Sequence, residues 1–191
     1  MPKSAKGFTL VELLVVISLI AILSTIGVAV YSGVQKQARI SKRVQDLKSI
    51  QAALEIYFQT NKTYPTTSGS WRSECLSWSS GVTGPDDVVK DAVSGNTLVP
   101  SYMLSFPSDP SMSKQNSTSC YRYRSNGSDY KLQDYNVTEM NTADFQSQNS
   151  LIDPASDGGD CSKVDGGAPT AWAVYSSNTG LNNNTNPACW N

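Results

Sequence analysis

Apolar residues fill nearly every position from Phe8 to Val30, and Glu12 is the one ionisable residue among them. A helix of about 23 such residues at ~1.5 Å each is roughly 34 Å long, enough to cross a bilayer core of ~30 Å. After Tyr31 the pattern changes. Val44, Leu47, Ile50, Leu54, Tyr57 and Phe58 recur at spacings of three and four, which predicts that the helix continues with a single apolar stripe. Gln51 and Glu55 fall off that stripe. The helix is expected to run to about Thr60 and to stop before Tyr64-Pro65, because proline disfavours helix in the residue before it. Further on, Tyr121 and Tyr123 alternate with Arg122 and Arg124, Ser125-Asn126-Gly127-Ser128 supplies a turn, and Tyr130-Lys131-Leu132 starts a return strand. Cys120–Tyr135 therefore reads as a hairpin whose tyrosines and Leu132 face the helix, and Ala171–Tyr175 reads as a third strand. Thr66–Val99 is a polar connector with a short helix expected in Asp86–Ala92. Asn136–Pro169 is too long for an idle connection, so it is either an exposed recognition surface or packing pinned by disulfides.

The first apolar run admits three readings. A secretory signal has an apolar region of ~7–15 residues closed by a small-residue cleavage site, and this run is longer, contains Glu12 and lacks such a site. An ordinary anchor explains the length but not a carboxylate that costs about 2.5–3.5 kcal/mol at the centre of a membrane helix. The third reading places processing before the helix. There, Lys6-Gly7-Phe8-Thr9-Leu10-Val11-Glu12 resembles the cleavage and methylation motif of type IV pilins and type II secretion pseudopilins. The likeness covers the basic leader ending in Gly7, the phenylalanine after the cut, and the glutamate four residues beyond it. Over the rest of the chain it is architectural.

The resemblance implies a division at residues 1–7 (a leader removed by a prepilin peptidase), 8–30 (a membrane-spanning half-helix that becomes filament core) and 31–191 (an amphipathic half-helix with a globular head). It implies cleavage between Gly7 and Phe8, N-methylation of Phe8, and a role for Glu12 in assembly. The carboxylate of one subunit would neutralise the Phe8 ammonium of a neighbour, since either charge alone is unfavourable in hydrocarbon. A Glu12 paired within its own chain is the alternative. The implied fold is α+β and pilin-like: a long N-terminal helix on a small antiparallel sheet, with disulfide-pinned loops. Tyr64-Pro65 and Phe106-Pro107-Ser108-Asp109-Pro110 resemble features that, in such heads, end the stem and precede the first strand of the sheet. Many type IV pilins carry a proline in the membrane half. Here none lies between Pro2 and Pro65, and the weak points of the stem are Ser24-Thr25, Gly27 and Gly33.

Composition refines this picture. About 160 residues follow Tyr31, suited to one domain, and they are rich in Ser, Asn, Thr and Gly, so the core is modest and loops abound. Without Lys3 and Lys6 the mature chain has 13 basic and 16 acidic side chains, which argues against a head that grips nucleic acid. Histidine is absent. Cys75, Cys120, Cys161 and Cys189 form no metal-binding spacing, and an even count in an exported, loop-rich head reads as disulfides. Of three pairings, Cys75–Cys120 with Cys161–Cys189 is favoured, because each closes a moderate loop. Lys36, Arg39, Lys42 and Arg43 run against the positive-inside rule for an outward head, and in a filament they can meet acidic groups on neighbouring stems.

Asp153, Asp157, Asp160 and Asp165 crowd a glycine-rich loop, an oxygen-rich arrangement that suits Ca²⁺ but lacks the EF-hand spacing. A solvated acidic loop is the main expectation, and no cofactor is expected. Trp71, Trp78, Trp172 and Trp190 are expected to pack rather than to stack on sugars or bases. No nucleophile–base pair stands out, so an enzyme is not expected. The expected function is a structural pilin that polymerises through its N-terminal helices. Its partners would be the membrane, the prepilin peptidase and the pilus assembly machinery. It would wait as a single-pass membrane protein with an extracytoplasmic head and end in a cell-surface filament. A secretion pseudopilin and a membrane-tethered minor pilin or adhesin are the alternatives.

Overall fold

The computed structural model describes residues 7–75, 82, 84–112, 119–157, 161, 169–176 and 189–190, and for 26–30 the helical backbone alone. The chain divides into two compact units, Met1–Ala38 and Arg39–Asn191. Helix α1 (Leu10–Asn61) begins in the first and ends in the second. In the second unit β1 (Arg72–Ser73), β2 (Cys120–Ser125), β3 (Tyr130–Tyr135) and β4 (Ala171–Tyr175) form one antiparallel sheet in the order β1-β2-β3-β4. The hairpin and the strand at 171–175 lie where the alternation placed them. The two-residue β1 inside the connector was not foreseen, being too short to carry a period. The 106–110 segment therefore precedes the second strand of the sheet, not the first. The connector also holds a 3₁₀ turn, Pro85–Val89.

The stripe on α1 meets the sheet as its spacing requires. Leu47, Ile50, Leu54 and Tyr57 are buried in one core with Tyr121, Tyr123, Tyr130 and Leu132, while Val44 and Phe58 are partly buried beside it. Glu55 is not idle beside the stripe. Its carboxylate accepts hydrogen bonds from the hydroxyls of Tyr64 and Tyr130. The helix ends as the Asn61 side chain donates to the Tyr57 carbonyl and Lys62 turns left-handed at φ 60°. Gly127 in the β2–β3 turn sits at φ 94°, and its carbonyl accepts from the Tyr64 backbone at 2.7 Å. A Cβ there would come within 3.0 Å of Thr63 Oγ1, so only glycine lets the turn dock against the end of α1.

The opposite face of the sheet is covered too. Arg122 lies between the rings of Trp71 and Tyr135, 4.3 and 3.7 Å from their centroids. Buried Lys131 pairs with Asp153 at 2.7 Å and donates to the Trp190 carbonyl. The described part of 136–169 packs in part against the sheet. α2 (Thr142–Gln146) and the turns Asn149–Leu151 and Pro154–Ser156 bring Phe145, Leu151 and Ile152 into the core. Trp172 donates its ring N–H to the Phe145 carbonyl. Two disulfides cross-link this unit, Cys75–Cys120 and Cys161–Cys189, and only the second has an end within 136–169. The first links the residues after β1 to the start of β2.

A buried charge cluster ties α1 to everything else in this unit. Arg43 is fully buried. Its Nε lies 2.6 Å from Asp109 Oδ2 and 3.4 Å from Asp134 Oδ2, and its Nη2 lies 2.6 Å from Glu139 Oε1 and donates to Ser111 Oγ. Arg39 pairs with Glu139 at 2.6 Å, and Lys42 with Asp46 at 2.7 Å. Asp46 also accepts from the Tyr121 hydroxyl. The expectation that Arg39, Lys42 and Arg43 serve neighbouring stems is thus corrected: each has an acidic partner in its own chain. The reason is local: Asp46 stands one turn along the helix from Lys42, and the turn that faces the core brings Arg39 and Arg43 to acids far away in sequence. Around Arg43 and Arg39 stand three carboxyls, Asp109, Asp134 and Glu139, one more than the two guanidiniums neutralise. Neither oxygen of Asp134 accepts a hydrogen bond. Burial first, and the Asp109 charge second, raise its carboxyl well above the ordinary range.

Removing the guanidinium leaves several acids buried without a base. Arg43→Met is expected to cost about 3–5 kcal/mol, read as a lower Tm of the full chain, and an unchanged Tm would reject the role given to the cluster. Asp134 generates a pH dependence. Its folded pKa is raised, so as pH climbs past about 3.9 the unfolded chain releases the Asp134 proton first, and stability falls with rising pH until the folded carboxyl also titrates. Asp134→Asn is expected to melt higher than the parent at pH 7, with the difference closing as pH drops to about 4. A variant less stable by the same margin at every pH would contradict this.

Candidate functional site

The candidate site is the start of α1. Thr9 is the residue before the helix and Glu12 lies in its first turn. Glu12 Oε2 accepts from the Thr9 backbone N–H at 2.9 Å and from Thr9 Oγ1 at 2.7 Å, while the Glu12 backbone N–H donates to Thr9 Oγ1 at 3.2 Å. This is a capping box, a reciprocal closure that satisfies orphan donors at a helix start. The Thr-x-x-Glu spacing before an apolar run is legible in the sequence, yet the sequence reading gave Thr9 no part. Glu12 is thus paired within its own chain, through one oxygen. Among the described residues nothing donates to the other, Oε1.

Gly7 and Phe8 are exposed, Phe8 at 82%. A Cβ on Gly7 would meet nothing within 4 Å, and its φ is not left-handed. The fold therefore places no demand for glycine at this position. From Leu10 to Leu23 the apolar side chains point outward all round the helix. From Leu10 to Leu23, every large hydrophobic side chain is at least 48% exposed. Exposed apolar surface on this scale marks a face that another apolar phase covers. Among the described residues no helix is long and apolar enough to cross a membrane.

Of the four acids of the glycine-rich loop, Asp153 and Asp157 are described in the second unit. Asp153 is buried and committed to Lys131, Gln133 and the backbone of Ala155. Asp157 is buried as well. Asp160 and Asp165 lie outside the described residues, as does Trp78. Among the described residues no group of acids, cysteines and histidines is arranged to hold a metal ion. Trp71, Trp172 and Trp190 take packing positions.

Residues 2–28 match the family described as the prokaryotic N-terminal methylation motif. No curated protein and no solved structure matches the chain. The matched segment is the prepilin-type signal of type IV pilins and pseudopilins, and it contains Gly7, Phe8, Thr9 and Glu12. The motif indicates a type IV pilin-like or pseudopilin precursor, a class that is structural rather than catalytic. It implies handling by a prepilin peptidase, a membrane-anchored precursor and later assembly into a pilus.

The indifference of the fold to Gly7 separates two effects. Gly7→Val is expected to leave the Tm of the second unit unchanged and to block removal of residues 1–7, because an enzyme that closes on this backbone has no room for a branched side chain. Intact mass reads the first seven residues directly. A normally trimmed Gly7→Val chain would reject the assignment.

Proposed function

We propose that the chain is a structural subunit of a type IV pilus-like surface filament. The leader is cut between Gly7 and Phe8, Phe8 is N-methylated, and the 8–30 helices pack together as the filament core. The observation that carries this reading is Glu12. It is an exposed carboxylate on an otherwise apolar helix, with one oxygen used by Thr9 and Oε1 unclaimed among the described residues. That oxygen suits the new ammonium on Phe8 of a neighbouring subunit. In an apolar medium both charges are unfavourable alone, so the pair favours assembly over the lone subunit and sets its axial register. The apolar run of the sequence continues through Val30, which gives the precursor a length of about 34 Å for holding in a bilayer. The two disulfides and the loop-rich second unit favour a surface filament over a periplasmic pseudopilus.

Glu12→Gln tests the charge without the shape. The amide oxygen still accepts from Thr9, so the helix start and the second unit keep their fold. Incorporation into fibres is expected to fall about tenfold or more, read as the ratio of sheared-fibre to membrane-bound subunit. Glu12→Ala is expected to fail at least as badly. Normal fibres from Glu12→Gln would show that apolar packing suffices. The absence of this chain from sheared surface fibres would turn the reading toward a pseudopilus or a tethered minor subunit.

A further inference from the structure

A cavity of about 440 Å³ opens between the last turns of α1, the β2–β3 turn and the end of β4. Phe58, Tyr64 and Tyr175 supply its aromatic lining, Glu55 and Asp129 its charge, and Ser176 a hydroxyl; among the described residues no lysine or arginine lines it. The rings of Phe58 and Tyr64 are stacked, with centroids 4.6 Å apart, and Tyr130 meets Tyr64 edge-on at the same separation. Glu55 is held in place from below. Its Oε1 accepts from the hydroxyls of Tyr64 and Tyr130, each at 3.2 Å, and its Oε2 accepts from Tyr64 at 3.1 Å. Those neutral donors orient the carboxylate without neutralising it, and Glu55 has no cationic partner among the described residues. Asp129, across the cavity, accepts from Ser176 Oγ at 2.9 Å. The Tyr64 hydroxyl is pushed up to about 12, by burial first and then by Glu55 and Asp129, so both carboxylates act on the same space.

We infer that this cavity is a binding site for an alkylammonium group, the end of a lysine side chain or a free primary amine. Two carboxylates supply the counter-charge, and the aromatic lining gives apolar contact to the alkyl stem. The volume falls within the usual range for small-ligand sites. A phosphate or a carboxylate would meet two like charges, and a plain hydrocarbon would leave Glu55 desolvated without a partner. The site lies wholly in the second unit and does not depend on the assembly reading of Glu12.

The test titrates n-butylammonium chloride into the full chain in a nonionic detergent, with n-butanol as the uncharged match, reading the NMR ring resonances of Tyr64 and Tyr175. Saturable shifts are expected with n-butylammonium and not with n-butanol. Glu55→Gln keeps acceptors for both tyrosine hydroxyls, and Asp129→Asn keeps one for Ser176. Each is expected to weaken binding about tenfold. If Glu55→Gln lowers the Tm, Asp129→Asn decides alone. With binding in hand, competition by a lysine-containing tetrapeptide assigns the group to a protein side chain, and failure to compete assigns it to a free amine. Equal midpoints for n-butylammonium and n-butanol, the absence of saturable shifts, or parental affinity in Asp129→Asn would overturn the inference.

Discussion

A guanidinium that is out of water needs acids around it, and this requirement organises the second unit. Arg43 stands on α1, but its partners come from the 107–110 segment, from β3 and from the segment after it. Each of those segments must be in place for the charge to be matched, so the helix, the hairpin and the two loops form together or at a severe energetic penalty. Apolar packing alone would let the stripe of Leu47, Ile50 and Leu54 slide or rotate against the tyrosines of the sheet. Directed hydrogen bonds from one fully buried side chain remove that freedom.

The same helix carries two kinds of hydrophobic surface. Beyond Arg39 it has one apolar face, and a sheet covers it. From Leu10 to Leu23, Glu12 and Ser18 aside, it is apolar all round, and its large side chains lie exposed in the single chain. A stripe can be satisfied by one partner surface, whereas an all-round apolar cylinder needs a medium or a bundle. The carboxylate of Glu12 then matters because it is the one group there that a hydrocarbon surrounding penalises. Its capping bond to Thr9 lowers that penalty inside one chain and leaves an oxygen facing outward.

The outer side of the sheet solves a different problem. Arg122 and Lys131 are basic residues on a strand, and alternation alone would leave them in water. Instead Trp71, Tyr135, Asp153 and Trp190 cover them, and the loops that bring these groups are the ones held by the two disulfides. A head poor in large aliphatic residues thus builds a second layer from aromatic rings, amphipathic basic stems and cross-links.

Much of this was legible beforehand because it depends on local order. Periods of 3.6 and 2 mark α1 and the strands at 120–135 and 171–175, Tyr64-Pro65 marks the end of the helix, and Gly7-Phe8 with Glu12 marks the processing and assembly segment. The periods and the helix end depend on neighbours within a few residues, so the sequence alone determines them, and the sequence of 2–28 alone carries the methylation motif. Tertiary structure alone decided the rest. Nothing in the order of residues says that Arg43 meets Asp109 rather than a neighbouring subunit, that Glu55 collects two tyrosine hydroxyls, or that a two-residue strand at 72–73 completes the sheet. Those pairings join positions up to about a hundred residues apart, and they are settled by which groups share a buried space, where an unmatched charge costs far more than it does in water.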